Sequence, residues 1–248
     1  MGRTAALLTA LALCSFQPRL RAQALLPLKH TVVFNNNGRK PPTDVYPLFR
    51  LSEAFALVED FYSPATLDAT LTDNLARSRL LYVGQYCNEA PLFADPEACS
   101  AIRGFLERGG VLFLDYGTGS RGIRFKPETV KFLKSVGVTP PEEFQTGYGR
   151  SIFAAEEAHP VLAGPAPLGG RDSGHYGWWE KWSPQQVALA HDAETAGKGT
   201  FIAQSNVLGK GTVMFNQVCG IFRAPQGVYF DAVRNIVAYA YGAEGAGE

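Results

Sequence analysis

The chain has 248 residues, 46% of them hydrophobic, 19% charged and 12% aromatic. That is the composition of a globular protein of one or two domains and excludes a disordered or coiled-coil chain. Lys+Arg and Asp+Glu each number 23, so the net charge is zero and a general electrostatic nucleic-acid binder, which should be basic, is excluded as well.

The first residues read as a secretory signal. Arg3 supplies a positive start, Ala5 to Phe16 is an uncharged run too short to span a membrane, and Ala22-Gln23-Ala24 fits small-x-small cleavage. The expectation is a signal peptide over 1–24, one domain over 25–248, and a secreted or periplasmic protein. Leu13 before Cys14 argues against lipidation. Cleavage would remove Arg3, Arg19 and Arg21 and tip the charge balance to the acidic side. No later segment is apolar enough to cross a membrane.

Thr31-Val-Val-Phe34 is a β-branched strand that ends in Asn35-Asn36-Asn37-Gly38. Ala56 to Phe61 reads as a second strand. Ser63-Pro64 then opens a helix with Leu67, Leu71 and Leu75 at fourfold spacing. Leu80-Leu81-Tyr82-Val83 is a third strand. Asp95-Pro96 starts a helix whose stripe is Ile102, Phe105 and Leu106, and Gly109-Gly110 ends it. Val111 to Leu114 is wholly apolar, the pattern of a strand covered on both faces. A helix over Pro127 to Val136 follows. Residues 138 to 183 are rich in Gly and Pro and read as long loops with one strand at Ser151 to Ala154. Val187 to Ala190, Thr200 to Ala203 and Thr212 to Val218 are three short strands, the last two a hairpin through Gly209-Lys210-Gly211. An amphipathic helix with Tyr229, Val233, Ile236, Val237 and Ala240 closes the chain at Gly242. Alternating strands and helices predict βαβ units: an α/β, flavodoxin-like three-layer α/β/α sandwich with a mostly parallel sheet and a C-terminal hairpin and helix.

In such a sheet ligands bind beyond the carboxyl ends of the strands. The candidates there are Asn36 and Asn37, Asp60, Gln85 with Cys87 and Asn88, and Asp115, Tyr116 and Thr118. These are small polar groups that fix a ligand's orientation. Gly117-Thr-Gly-Ser-Arg-Gly122 has a G-x-G-x-x-G spacing but opens no helix, so it lacks the context for a dinucleotide. Cys87 has no flanking glycines to form a strained nucleophile turn. With no C-x-x-C and no H-E-x-x-H, neither metal nor cofactor is expected. Cys87, Cys99 and Cys219 remain after cleavage, either as one pair, with Cys87–Cys99 nearest in sequence, or as buried thiols. His175-Tyr-Gly-Trp178-Trp179-Glu-Lys-Trp182 holds all three tryptophans and would suit a sugar ring or a protein partner if its faces are exposed.

Four segments carry a resemblance: Phe105-Leu-Glu-Arg-Gly-Gly-Val-Leu-Phe-Leu114, His159-Pro-Val-Leu-Ala-Gly164, Gly209-Lys-Gly-Thr-Val213 and Asn235-Ile-Val-Ala-Tyr239. Over roughly residues 30–242 the chain resembles the class I glutamine amidotransferase-like superfamily, in the branch that holds trehalose-utilisation-type proteins and the trimerisation-type domains of β-galactosidases. Amidotransferases carry a nucleophilic Cys in a G-x-C-x-G elbow after the strand matching Val111–Leu114. This chain has Asp115-Tyr-Gly-Thr-Gly119 there, and the later His-x-Glu pair is not evident. The resemblance implies a flavodoxin-like fold whose old active-site edge has either become a binding site or gone silent. The polar strand-end rim and the aromatic segment, with His175, Trp178 and Trp179, point to a secreted, non-catalytic domain binding a small polar ligand such as a carbohydrate. The alternatives are a hydrolase pairing Asp60 or Asp115 with His159 or His175, and a protein-interaction module using the Trp178–Trp182 loop.

Overall fold

The structure is a computed structural model that describes residues 29–34, 57–84, 89–116, 125–155, 159–195, 197–219 and 227–242. The signal segment, Asn36, Asn37, Gln85, Cys87, Asn88 and Thr118 lie outside the described residues. The strands are β1 (Lys29–Phe34), β2 (Leu57–Tyr62), β3 (Ser78–Val83), β4 (Val111–Asp115), β5 (Glu142–Phe153), β6 (Asp172–Lys181), β7 (Val187–Asp192), β8 (Gly199–Val207) and β9 (Gly211–Asn216). The helices are α1 (Thr70–Arg77), α2 (Ala90–Ala94), α3 (Pro96–Glu107), α4 (Pro127–Ser135), α5 (Pro160–Ala163) and α6 (Gly227–Tyr241).

One nine-stranded sheet runs in the order β2-β1-β3-β4-β9-β8-β6-β5-β7, with β7 also paired to β8. Strands β2, β1, β3, β4 and β9 are mutually parallel. Their central strands alternate between two cores. Leu80, Tyr82, Val111, Phe113 and Met214 face α5 and α6. Leu81, Val83, Leu112, Leu114 and Phe215 face α1 to α4. Both faces are covered, which is why these strands are continuous apolar runs. Asp95 caps α3 by accepting from the N–H groups of Glu97 and Ala98 at 2.8 Å each. Gly109 sits at φ 91°, and a side chain at Gly110 would meet the Phe105 ring at 2.4 Å. The Gly-Gly pair thus both stops the helix and lets β4 pass beneath it.

The second half overturns the expected flavodoxin-like, mostly parallel sandwich. The pairings β5–β6, β5–β7, β6–β8, β7–β8 and β8–β9 are all antiparallel and outnumber the four parallel ones. Strands β8, β6, β5 and β7 close on themselves as a small four-stranded ring. The stretch expected to be loops, 138–183, supplies two of its strands, of 12 and 10 residues. Their glycines hide the strand pattern. A side chain at Gly177 would meet the Phe144 ring at 2.4 Å, and one at Gly147 would meet Trp178 at 2.5 Å. These glycines mark places where a neighbouring strand's aromatic ring lies across the backbone.

Candidate functional site

The carboxyl end of the parallel half is built around Asp115. This carboxylate is buried at the last residue of β4 and accepts from Tyr82 Oη at 2.7 Å and Asn216 Nδ2 at 2.9 Å. Asn216 closes a tight loop on itself: Nδ2 donates to the Val218 carbonyl and Oδ1 accepts from the Val218 N–H, both at 3.0 Å. The position where β4 meets β9 is therefore a set of satisfied bonds that ties two strand ends together. Tyr116 follows, buried, with its ring edge-on to Phe125 at 5.3 Å.

Asp60 lies three strands away, on β2, and is linked to His30 at 3.4 Å and to Arg77 at 3.9 Å. His159 has no carboxylate partner among the described residues. Its Nδ1 accepts from the Val161 N–H at 3.3 Å, capping α5, so Nε2 carries the proton and faces Ser205 Oγ at 3.1 Å. In that tautomer it donates to the serine and cannot take the serine's proton. Burial lowers its pKa to about 4, so it is neutral at physiological pH. The pairs of Asp60 or Asp115 with His159 or His175 do not form. A buried carboxyl that sequence reasoning missed, Glu89, precedes α2; burial pushes it up, against a hydrogen bond from Thr129 at 3.3 Å.

Besides His30 with Asp60, an imidazole–carboxylate pair joins His175 Nε2 to Asp192 Oδ2 at 3.0 Å, between β6 and the end of β7. Burial pushes the Asp192 carboxyl up, but the bonds from His175 and the Glu194 N–H outweigh it and hold it below its usual range. A side chain at Gly149 would sit 2.6 Å from His175 Nε2, so only glycine leaves room for the pair. The ring also buries several polar residues. Ser151 and Thr200 hydroxyls bond each other across it, and Ser151 is opposite both Ser173 and Asp192 in register. His175 Nδ1, Ser173 Oγ and both polar atoms of Gln217 are buried with no hydrogen-bond partner. Leaving such groups unmet costs about 1–3 kcal/mol each. Asp192 could have been flagged only by knowing that β6 and β7 share a ring.

The tryptophan segment is a strand, and its rings divide. Trp179 is 1% exposed and packs among Phe144, Phe125 and Phe215. Trp182 packs against the same core. Trp178 and Tyr176, two apart on β6, face the other way. Tyr148 on β5 is 73% exposed and lies edge-on to Tyr176 at 4.9 Å. Lys198 Nζ stands 4.3 Å from the Trp178 ring, whose Nε1 donates to Glu180 at 3.3 Å. The Arg150–Asp172 and Lys181–Glu143 pairs flank this face. The result is a partly exposed aromatic row with hydrogen-bonding groups at its margins. No group of His, Cys, Asp and Glu among the described residues could hold a metal ion. No helix there is long and apolar enough to cross a membrane.

No family model matches the chain, and no curated protein matches it. Solved structures do. A GMP synthase subunit from Thermoplasma acidophilum is 8% identical, with 87% of this chain and 96% of that one covered at a TM-score of 0.51. A ThuA-like protein of Bacteroides uniformis is 14% identical, with 91% and 97% covered, also at 0.51. A cold-adapted β-galactosidase of Rahnella sp. R3 is 14% identical at the same TM-score, with 85% of this chain but 31% of that longer one covered. At these identities the likeness is one of fold. It agrees with the amidotransferase-like resemblance of the sequence at that level.

Proposed function

We propose that this chain is an exported, non-catalytic binding domain whose β5–β6 face takes a neutral carbohydrate. The observation that carries the reading is the row Tyr148, Tyr176 and Trp178. The C–H face of a sugar ring is apolar and stacks on aromatic rings, while its hydroxyls need donors and acceptors at the edge. Glu180 and Lys198 at Trp178, with Arg150 and Asp172 beside the row, are of that kind. The non-catalytic part rests on the strand ends. Asp115 and Asn216 are engaged with each other where an amidotransferase would act, and no described hydroxyl or thiol bonds the His175 ring. The likeness of fold to part of a β-galactosidase lends the carbohydrate class support.

The test is a titration of the purified protein with neutral mono- and oligosaccharides, read by tryptophan fluorescence and calorimetry. At least one sugar should give a saturable signal, and Trp178→Ala should weaken it by about tenfold, the worth of one stacked ring. Absence of any saturable response would overturn the reading. Saturable binding that Trp178→Ala leaves unchanged would move the site elsewhere. Export is checked by the N-terminal sequence of the protein recovered from a secreting host, which should begin at Leu25; a retained Met1 would refute it.

A further inference from the structure

The helical layer over the parallel half carries a groove that neither the core nor the aromatic row uses. Helices α1 and α3 pack side by side, and between them lies a hollow of about 360 Å³. Its wall is made of Ala76, Ala101 and Gly104, with the Thr72 and Ser100 hydroxyls along it. Glu97, in the first turn of α3, and Arg108, at the C-cap of α3, line it as well. Thr72 and Glu97 also line a second hollow of about 220 Å³, together with Asp68 and Asp95. One end of the groove is therefore acidic and the other basic. Gly104 is the telling residue. Glycine is the poorest helix former after proline, so a larger residue here would strengthen α3 unless the space is needed. The core does not need it. Outside the helix backbone, the one atom among the described residues within 4 Å of a Cβ at Gly104 is Arg108 Nη1, at 3.2 Å. The same guanidinium donates from Nη2 to the Leu75 carbonyl of α1 at 3.4 Å, which fixes it across the groove. Neither Arg108 nor Glu97 has an ion-pair partner among the described residues.

We infer that the α1–α3 groove binds a short zwitterionic peptide, with its C-terminal carboxylate on Arg108 and its N-terminal ammonium at Glu97. The site is separate from the sugar face and does not rest on it. A guanidinium presents a planar fork that takes a carboxylate through two parallel hydrogen bonds. Glu97, with Asp68 and Asp95 beyond it, attracts a cation at the other end. Gly104, beside which the guanidinium lies, follows Glu97 by seven residues, about 10 Å along the helix axis. An extended chain of three residues spans about the same length. Between the two charges, Thr72 and Ser100 offer hydroxyls to the main-chain groups of the peptide. A neutral sugar would meet neither charge, and a simple anion would face Glu97 as well as Arg108.

The probe is trialanine, titrated into ¹⁵N-labelled full chain. The Gly104 amide signal should move saturably, while the indole signal of Trp178 stays in place. Trialanine acetylated at one end and amidated at the other should give no saturable shift. Arg108→Gln should weaken calorimetric affinity about tenfold or more, because a charge-assisted pair is lost, and Glu97→Gln should weaken it severalfold. Gly104→Leu fills the groove with a good helix former, so affinity should fall while the melting midpoint does not. A glycine that served only the fold would give the reverse. The absence of a saturable shift with trialanine would overturn the inference, as would equal binding of the blocked peptide. So would a Gly104→Leu that melts lower with affinity unchanged. A concentration-dependent dimer that perturbs the Gly104 signal would also overturn it, since a second copy would then be the occupant. Sugar binding at Trp178 can survive each of these failures, and its own failure leaves the Gly104 readout intact.

Discussion

Strands β4 and β6 each have a neighbour on both sides in the sheet, and both carry aromatic side chains. Every residue of β4 is buried, whereas β6 alternates and exposes its ends. Around β4 the polar groups are few and sit at the strand end, where Asp115 accepts from Tyr82 and Asn216. Around β6 polar groups are buried too, with His175 Nδ1 and Ser173 Oγ unmet and an aromatic row on the outer side. An apolar interior covered on both faces yields stability, and buried polar groups left unmet forgo some of it. On the proposed reading, the parallel half is scaffold and the ring does the recognition. This contrast makes sharp predictions about where a substitution costs stability and where it costs binding.

The largest expected effect is in the scaffold. Phe113 is fully buried on β4, its ring 5.9 Å from Tyr82 and 5.8 Å from Phe201. Phe113→Ala should lower the free energy of unfolding by about 3–5 kcal/mol, read by urea denaturation. A loss below about 1 kcal/mol would mean that the apolar half is not what holds the molecule together.

The strands of that half were legible because burial on both faces writes itself as an unbroken apolar run. Val111 to Leu114 could be nothing else, and Asp95-Pro96 announced its helix by cap chemistry. The ring was not legible. In β5, Glu142 to Arg150 is largely exposed and interrupted by Gly147 and Gly149, so no alternation survives. Those glycines are packing positions for Trp178 and His175, visible only once the strands are paired. The same blindness governed the site. His175 and Trp178 could be singled out by type, but Asp192 and Tyr148 are ordinary residues in sequence. Their roles come from register, and His159, which looked like chemistry, is a cap with a neutral ring.

That cap gives the second prediction. His159 has a pKa of about 4 folded, against 6.5 for the free side chain. The unfolded chain binds more protons between those values, so stability rises with pH there. The contribution is complete above pH 6.5 and is lost as pH falls toward 4. It amounts to at most about 3 kcal/mol, since a tenfold change in proton affinity is worth about 1.4 kcal/mol. Urea midpoints measured across this range should fall toward acid, and His159→Gln should flatten the slope while leaving sugar binding at neutral pH unchanged. An unaltered slope in His159→Gln would place the acid sensitivity in the carboxylates instead.

The smallest effect on stability is the most telling for the ring. Tyr148 is 73% exposed and its ring touches only Tyr176 among the described aromatic groups. Tyr148→Ala should change the free energy of unfolding by no more than about 0.5 kcal/mol, the usual range for an exposed position. If the aromatic row stacks on a sugar, the same substitution should weaken binding severalfold, because an edge ring contributes about 0.5–1.5 kcal/mol to such a contact. Phe113→Ala and Tyr148→Ala then form opposite corners of one comparison: large on stability for the first, and visible only in binding for the second. A Tyr148→Ala that costs as much stability as a core substitution would show that the row is a lid over the polar groups inside the ring. The division of labour between the two halves would then fail at the residue where it is easiest to see.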